Sequence, residues 1–261
     1  MIYCYLKGGL GNIMFQISAT IAIAETNSQE YAFINLDEHI GSLERQYGRN
    51  IDVGSYNSFF KNVKNRNVYP PDHTRIERFP FNYVSKPVRD CVIDGYFQSE
   101  KYFSSHRKQI RKLFNFEHVS DKMIDKYGIV KANNNISLHI RRGDYLSLTD
   151  YHRVLNLDYY YEAIGRIGPH DKIYVFSDDL DWCCDKFSDY DCIFVEESDI
   201  ESLFLMTTSK NNIIANSSFS WWGAWLNTNP DKRVIAPKTW FGVKNSHIAT
   251  ADIYCNNWEI I

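Results

Sequence analysis

The chain has 261 residues, of which 44% are hydrophobic and 15% aromatic, enough to bury a large core in one large domain or two compact ones. With 29 basic and 32 acidic residues its formal net charge is −3, so no global field points to nucleic acid or an anionic membrane. The six cysteines form no C-x-x-C pair and no disulfide-dense spacing, which reads as reduced thiols in a cytoplasmic protein.

The N-terminal "MIYCYLKGGLGN" enters a strand at once, without a basic start, an apolar signal core or a small-residue cleavage site. No apolar run approaches the roughly twenty residues that span a bilayer. The expected location is therefore cytoplasmic, with the inner membrane face as a place where such a protein could work. The sequons at Asn135 and Asn216 are read as chance matches.

Residues 2–9 read as a strand ending in a glycine turn, and 12–25 as a helix with Met14, Phe15, Ile17, Ile21 and Ala22 at helical spacing. A second strand is expected over 31–37. Residues 41–80 are less regular, with Pro70, Pro71 and Pro80 breaking any long element. A third strand over 91–99 runs into a loop, and 103–127 reads as helical. From residue 135 the alternation sharpens: strands at 135–140, 172–179, 192–197, 210–216 and 233–238, with helices near 156–168, 179–187, 199–209 and 220–228. Strands alternating with helices predict right-handed βαβ units and parallel sheets covered on both faces. The expected fold class is α/β, with two Rossmann-like domains over 1–127 and 128–261 whose parallel sheets face a cleft, joined by the polar "YGIVKANNN". In such sheets ligands sit at the carboxyl ends of the strands.

Several polar clusters fall at those ends. "KGGLGN" (7–12) lies between strand and helix, where Gly9, Gly11 and Asn12 form either a tight turn or a loop that lets a ligand approach. The dinucleotide fingerprint needs a further glycine where Met14 stands, and no Gly-Lys-Ser/Thr follows for a phosphate-binding Walker loop. "HIRRGD" (139–144) places two planar guanidinium donors at a strand end. Arg141 and Arg142 either hold a phosphate or pair with Asp144, and one may do each. In "FSDD" (176–179), Asp178 suits a hydrogen bond to a base or sugar hydroxyl better than a metal. "DYD" (189–191) has the D-x-D form of metal-dependent sugar transferases but precedes its strand, so no metal is expected there. "ANSSFSWWGAWL" (215–226) runs from a strand into Ser217, Ser218 and Ser220, which can cap a helix and leave amides for an anion. Of Trp221, Trp222 and Trp225 at least one is expected to be core. "GYFQSEKYF" (95–103) suits sugar recognition or an ordinary packed loop.

The ordered set "GGLGNIMFQ", "GYFQSEKYF", "LHIRRGDY", "FSDD", "NIIANSSFSWWGAWLN" and "VIAPKTWF" is similar to the α-1,2-fucosyltransferases of glycosyltransferase family 11, over essentially the whole chain. One departure is Ile13, where the family usually carries glutamine. The resemblance implies a GT-B-like fold and transfer of fucose from GDP-fucose to the 2-hydroxyl of a terminal galactose, with inversion at C1 and no metal or other cofactor. It implies catalytic roles for Arg141, Arg142 and Asp144. It places His139, Arg141, Ser177 and Asp178 in the donor site, with Gly9, Gly11 and Asn12. Asn216, Ser217, Ser218, Phe219, Ser220 and Trp221 join them near the phosphates. Acceptor candidates are Asp37, Glu38, Gln98 and Glu100, with Asp94 a further candidate for the base that takes the acceptor proton. The partners implied are GDP-fucose and a β-galactoside, the latter lipid-linked if the product is an O-antigen. Other readings are a transferase of a different nucleotide sugar, or a non-catalytic GDP-sugar or glycan-binding module.

Overall fold

The structure, a computed structural model, describes residues 1–47, 51–129 and 134–261; within the "YGIVKANNN" linker, residues 130–133 lie outside the described residues. Two compact units emerge: Met1–His118 with Ala249–Cys255, and Val119–Ile248 with Asn256–Ile261.

The first unit is built on β1 (Ile2–Cys4), β2 (Tyr31–Phe33), β3 (Ile76–Arg78) and β4 (Cys91–Asp94), all parallel in the order β2-β1-β4-β3. Its main helix, α1 (Leu10–Thr26), is apolar on nearly every side, and Ile13, Met14, Phe15 and Ile17 are fully enclosed. Ile13 thus serves the core. The strand expected over 31–37 stops at Phe33, because Leu36 opens α2 (Leu36–Tyr47). Asp37 and Glu38 occupy the first turn of that helix, where its dipole favours acids; they are not strand-end residues. The region read as irregular holds α3 (Val53–Phe59) and β3. The helix expected over 103–127 is two, α4 (Arg107–Leu113) and α5 (Glu117–Tyr127), the latter passing into the second unit at Val119. The break falls at Phe114, which turns extended and stacks on Phe59 with ring centroids 5.4 Å apart.

The second unit carries β5 (Ile136–Ile140), β6 (Ile173–Ser177), β7 (Cys192–Phe194), β8 (Asn211–Ile213), β9 (Val234–Ala236) and β10 (Glu259–Ile260), parallel throughout in the order β10-β9-β8-β5-β6-β7. The short β10 was not visible in the sequence pattern. Helices α6 (Leu157–Ile167), α7 (Leu180–Lys186), α8 (Asp199–Thr208) and α9 (Ser218–Leu226) complete the βαβ alternation. Every residue of β5 is buried, as expected for a strand covered on both faces. Ile136, Leu138 and Ile140 join Tyr160, Ile164, Val175 and Phe187 in one core. Helices α8 and α9 approach closely: a Cβ on Gly223 would lie 2.7 Å from the Met206 Cβ. Trp221, Trp222 and Trp225 are all in the core, stacked edge and face at centroid distances of 5.1–6.1 Å.

In both sheets the chain begins near the middle, works outward on one side, then returns to the other. The reversal lies between β1 and β4 in the first unit and between β5 and β8 in the second. Crevices open at such points, beyond the carboxyl ends of the strands. Among the described residues no helix is long and apolar enough to cross a membrane.

Beyond β1 the pairing is continued by a side chain. The buried Asn35 amide accepts from the Leu6 N–H at 2.8 Å and donates to the Leu6 carbonyl at 3.1 Å. Asn35→Ala should leave both backbone groups unpaired and lower stability by about 1–3 kcal/mol. A denaturant midpoint equal to that of the parent chain would contradict this role.

Candidate donor and acceptor sites

The second unit's reversal point gathers the residues that the sequence marks. The registers Ile140↔Ser177 and Leu138↔Ile213, continued past the strand ends, bring Arg141 level with Asp178 on one side and Asn216 on the other. Side-chain bonds confirm the alignment. Arg141 Nη1 lies 2.9 Å from Asp178 Oδ2, and its Nη2 lies 2.6 Å from Asp144 Oδ1. The other Asp178 oxygen accepts the Arg142 backbone N–H at 2.9 Å. Arg142 turns the opposite way: its Nε donates to Asp179 at 2.9 Å and its guanidinium lies 3.8 Å from the centre of the Trp182 ring. Both the Arg–Asp pairing and the separation of the two arginines to opposite sides are therefore present.

Gly143 makes this arrangement possible. A Cβ there would stand 2.5 Å from Asp178 Oδ2 and 2.9 Å from its Cγ. Any larger residue pushes the carboxylate off both arginines.

Tyr145 follows in a short 3-10 turn. Its hydroxyl donates to the Asn216 carbonyl at 3.1 Å, and burial pushes the phenol up to about 12, so it stays a donor at neutral pH. His152 stacks on the Tyr145 ring at 4.3 Å with 12° between the planes, and burial lowers its pKa below the usual histidine value.

The β8 loop closes the other side. The Asn216 side-chain amide donates to the Arg153 carbonyl at 2.9 Å and to the Trp240 carbonyl at 2.7 Å. Ser217 caps α9, accepting from the Phe219 N–H at 3.3 Å, and Ser220 bonds back to the Ser217 carbonyl. Ser218 begins the helix. Buried His139 lies beneath this first turn, its ring 5.7 Å from that of Phe219. Ser177 ends β6, accepting the Asp179 N–H at 3.0 Å. Trp221 differs from these, being enclosed in the core with no exposed surface.

The first unit's reversal point brings Gly9, Asn12 and Gln98 together. Gln98 Nε2 donates to Asn12 Oδ1 at 2.6 Å. The left-handed conformation belongs to Gly8, with φ of +85°, where a Cβ would strike Asn12 Nδ2 at 2.4 Å. At Gly9, the extended residue before α1, a Cβ would meet nothing within 4 Å. Gly11 is buried in the helix's first turn. Gln16, fully buried in α1, exchanges bonds with the Lys7 N–H and carbonyl at 2.9 and 2.8 Å, and His39 contacts the Gly8 carbonyl at 2.8 Å. Lys7 pairs with Asp94 at 2.5 Å and lies 5.0 Å from the centre of the Tyr96 ring.

The remaining acidic candidates are spread through the unit rather than gathered. Asp37 pairs with Arg66 and accepts from Asn67 at 2.6 Å, Glu38 accepts the Tyr69 hydroxyl at 2.6 Å, and Glu100 pairs with Arg107. Among the described residues no group of three or more His, Cys, Asp or Glu side chains could hold a metal ion. Asp191 of the D-x-D stretch pairs with Lys172 at 3.1 Å. Sequence reading missed Gly143, Tyr145, His152, Trp182, Gly8, Lys7 and Gln16. A glycine between Arg142 and Asp144, and a glutamine inside an apolar helix, were signals available for two of them.

Two α/β units, each with a parallel sheet that reverses near its centre, define a GT-B-like glycosyltransferase fold. NodZ, an α-1,6-fucosyltransferase whose crystal was soaked with GDP-fucose, shares this fold with a TM-score of 0.50 over 86% of this chain and 92% of its own, at 10% identity. The chain belongs to glycosyl transferase family 11, which it matches over residues 1–261. Relatives include the O-antigen biosynthesis glycosyltransferase WbnK of Escherichia coli, 31% identical over 98% of this chain and 100% of the relative. An alpha-1,2-colitosyltransferase of Escherichia coli is 31% identical over 92% of each chain. A galactoside 2-alpha-L-fucosyltransferase of Caenorhabditis elegans is 26% identical over 88% of this chain and 70% of its own.

Two substitutions test these contacts. Gly143→Ala should displace Asp178 and lower stability by about 1–3 kcal/mol. Arg142→Lys keeps the charge but loses the planar stack on Trp182 and should cost about 1 kcal/mol. Thermal melts of both variants check this; an unshifted melt for Gly143→Ala would show that the loop gives way freely.

Proposed function

We propose that this glycosyltransferase is an inverting enzyme that moves L-fucose from GDP-β-L-fucose to the 2-hydroxyl of a terminal galactose, in glycan or O-antigen synthesis. The observation that carries this reading is the alignment of Arg141 with Asp178 and Asn216 at the second unit's reversal point. The names of the relatives supply the linkage and the sugar class. The second unit takes the donor role and the first unit the acceptor role.

The chemistry is a charge problem. Cleaving the sugar C1–O bond leaves negative charge on the β-phosphate and positive charge on the ring. Arg141, with the amides opening α9 at Ser218 and Ser220, is suited to stabilise the leaving diphosphate. Asp178 orients Arg141 and can also meet a ribose or base donor, with Ser177 beside it. His139 supports the helix turn that presents the amides. Gly9 and Asn12, with Gln98, form the ligand-facing loop of the acceptor unit, with Gly11 packed behind them in α1; Asp37, Glu38 and Glu100 are that unit's candidate carboxylates. Because the arginine supplies the positive charge, chelator should leave most activity intact. Complete loss with EDTA and recovery with one divalent ion would overturn that account.

The test incubates the protein with GDP-fucose and a panel of β-galactosides, lipid-linked ones included, followed by linkage analysis. An α-1,2 product is expected. Arg141→Lys should fold normally and lose about two to three orders of magnitude in turnover. The colitosyltransferase relative favours one second reading, transfer of colitose through the same linkage. A donor panel with released nucleotide as the readout decides between them.

A further inference from the structure

We propose that Tyr145 is a positioning residue for the donor site, stacked by His152, and that the segment Trp240–Gly242 exists to hold this pair in place. The inference rests on the reading of Arg141 as the diphosphate ligand.

Tyr145 touches both halves of the site. The Arg141 guanidinium carbon lies 5.3 Å from its ring centroid, while its hydroxyl bonds the Asn216 carbonyl across the gap between the β5 and β8 loops. One side chain thus sets the spacing between the proposed arginine and the amides that open α9. A ring has two torsions and would swing without support. His152 supplies that support through its parallel stack on the Tyr145 ring.

His152 is itself held from outside the motif. It forms an isolated antiparallel bridge with Phe241, and the neighbouring Gly242 N–H donates to the Tyr151 carbonyl at 2.9 Å. Gly242 has no room for a side chain: a Cβ would stand 2.4 Å from the Thr149 carbonyl oxygen. Lys244 adds a backbone bond to Asp150 at 2.8 Å and an ion pair with its carboxylate at 2.9 Å. The same segment reaches Asn216, whose amide donates to the Trp240 carbonyl. Tyr145, His152, Trp240–Gly242 and Asn216 therefore close a ring of contacts beside Arg141. This gives the "TWFG" stretch (239–242) a task that neither the donor nor the acceptor reading assigns it.

A ligand-binding arginine must be held within a fraction of an ångström to act on a developing charge, so loosening its support should affect turnover before ground-state binding. Four variants test this by kcat, donor KM, GDP affinity and melting temperature. Tyr145→Leu removes the ring and should lower kcat about 100-fold, with GDP affinity changed less than about 5-fold. Tyr145→Phe keeps the stack but loses the bond to Asn216 and should lower kcat about 3–10-fold. His152→Ala should resemble Tyr145→Leu in direction, and His152→Phe, which restores a stacking ring, should recover most of the loss. Activity that falls only in proportion to the unfolded fraction, or a His152→Phe variant no better than His152→Ala, would overturn the positioning role. Failure of the parent chain to bind GDP at all would instead remove the donor reading on which the inference depends.

Discussion

The geometry at the second unit's reversal point depends on one carboxylate. Asp178 stands between a guanidinium and a backbone amide of adjacent residues, and it fixes the direction in which β5 leaves the sheet. Without it, Arg141 would keep only the more exposed Asp144, and the Arg142 backbone N–H would lose its acceptor. Its approach requires a residue without a side chain at position 143, so the Arg-Arg-Gly-Asp order is a steric requirement as much as an electrostatic one. Asp144 is the more exposed of the two acids on Arg141, at 45% against 13% for Asp178. On the diphosphate reading it occupies the guanidinium edge that an incoming anion would contest, while Asp178 keeps the arginine oriented.

Much of this architecture was legible from residue order, and the limits of legibility are physical. Apart from β10, the second unit's strands and helices lie where the alternation places them, because short β-rich runs such as "ISLHI" are cleanly separated by helical stretches. The first unit was harder. Asn35 makes a side-chain pairing that resembles a strand continuing to residue 37, and only the acids at 37 and 38 betray a helix start. Strands of two or three residues, such as β3 and β10, carry too little period to detect.

The site was legible as motifs but not as an assembly. Strand order decides which loops meet, and the sequence does not state that β8 returns beside β5. The reader of "HIRRGD" and "NSSFSWW" can see two anion-suited segments without knowing that Arg141 and Asn216 stand level. His152 gives no local signal at all, since its significance comes from a ring seven residues earlier and a bridge to residue 241. Trp221 shows the converse: an aromatic at a helix start looks like a ligand platform, yet packing claims it for the core.

The chain does not finish one unit before making the other. Residues 249–255 belong with the first unit, and the strand β10 that follows belongs with the second. Asp252 there pairs with Lys101 and accepts the Tyr83 amide at 3.0 Å. On a ribosome, the first unit would wait for the second to be synthesised before acquiring its last contacts, so its early form is an incomplete one. Cutting the gene between the units would likewise leave the first without residues 249–255.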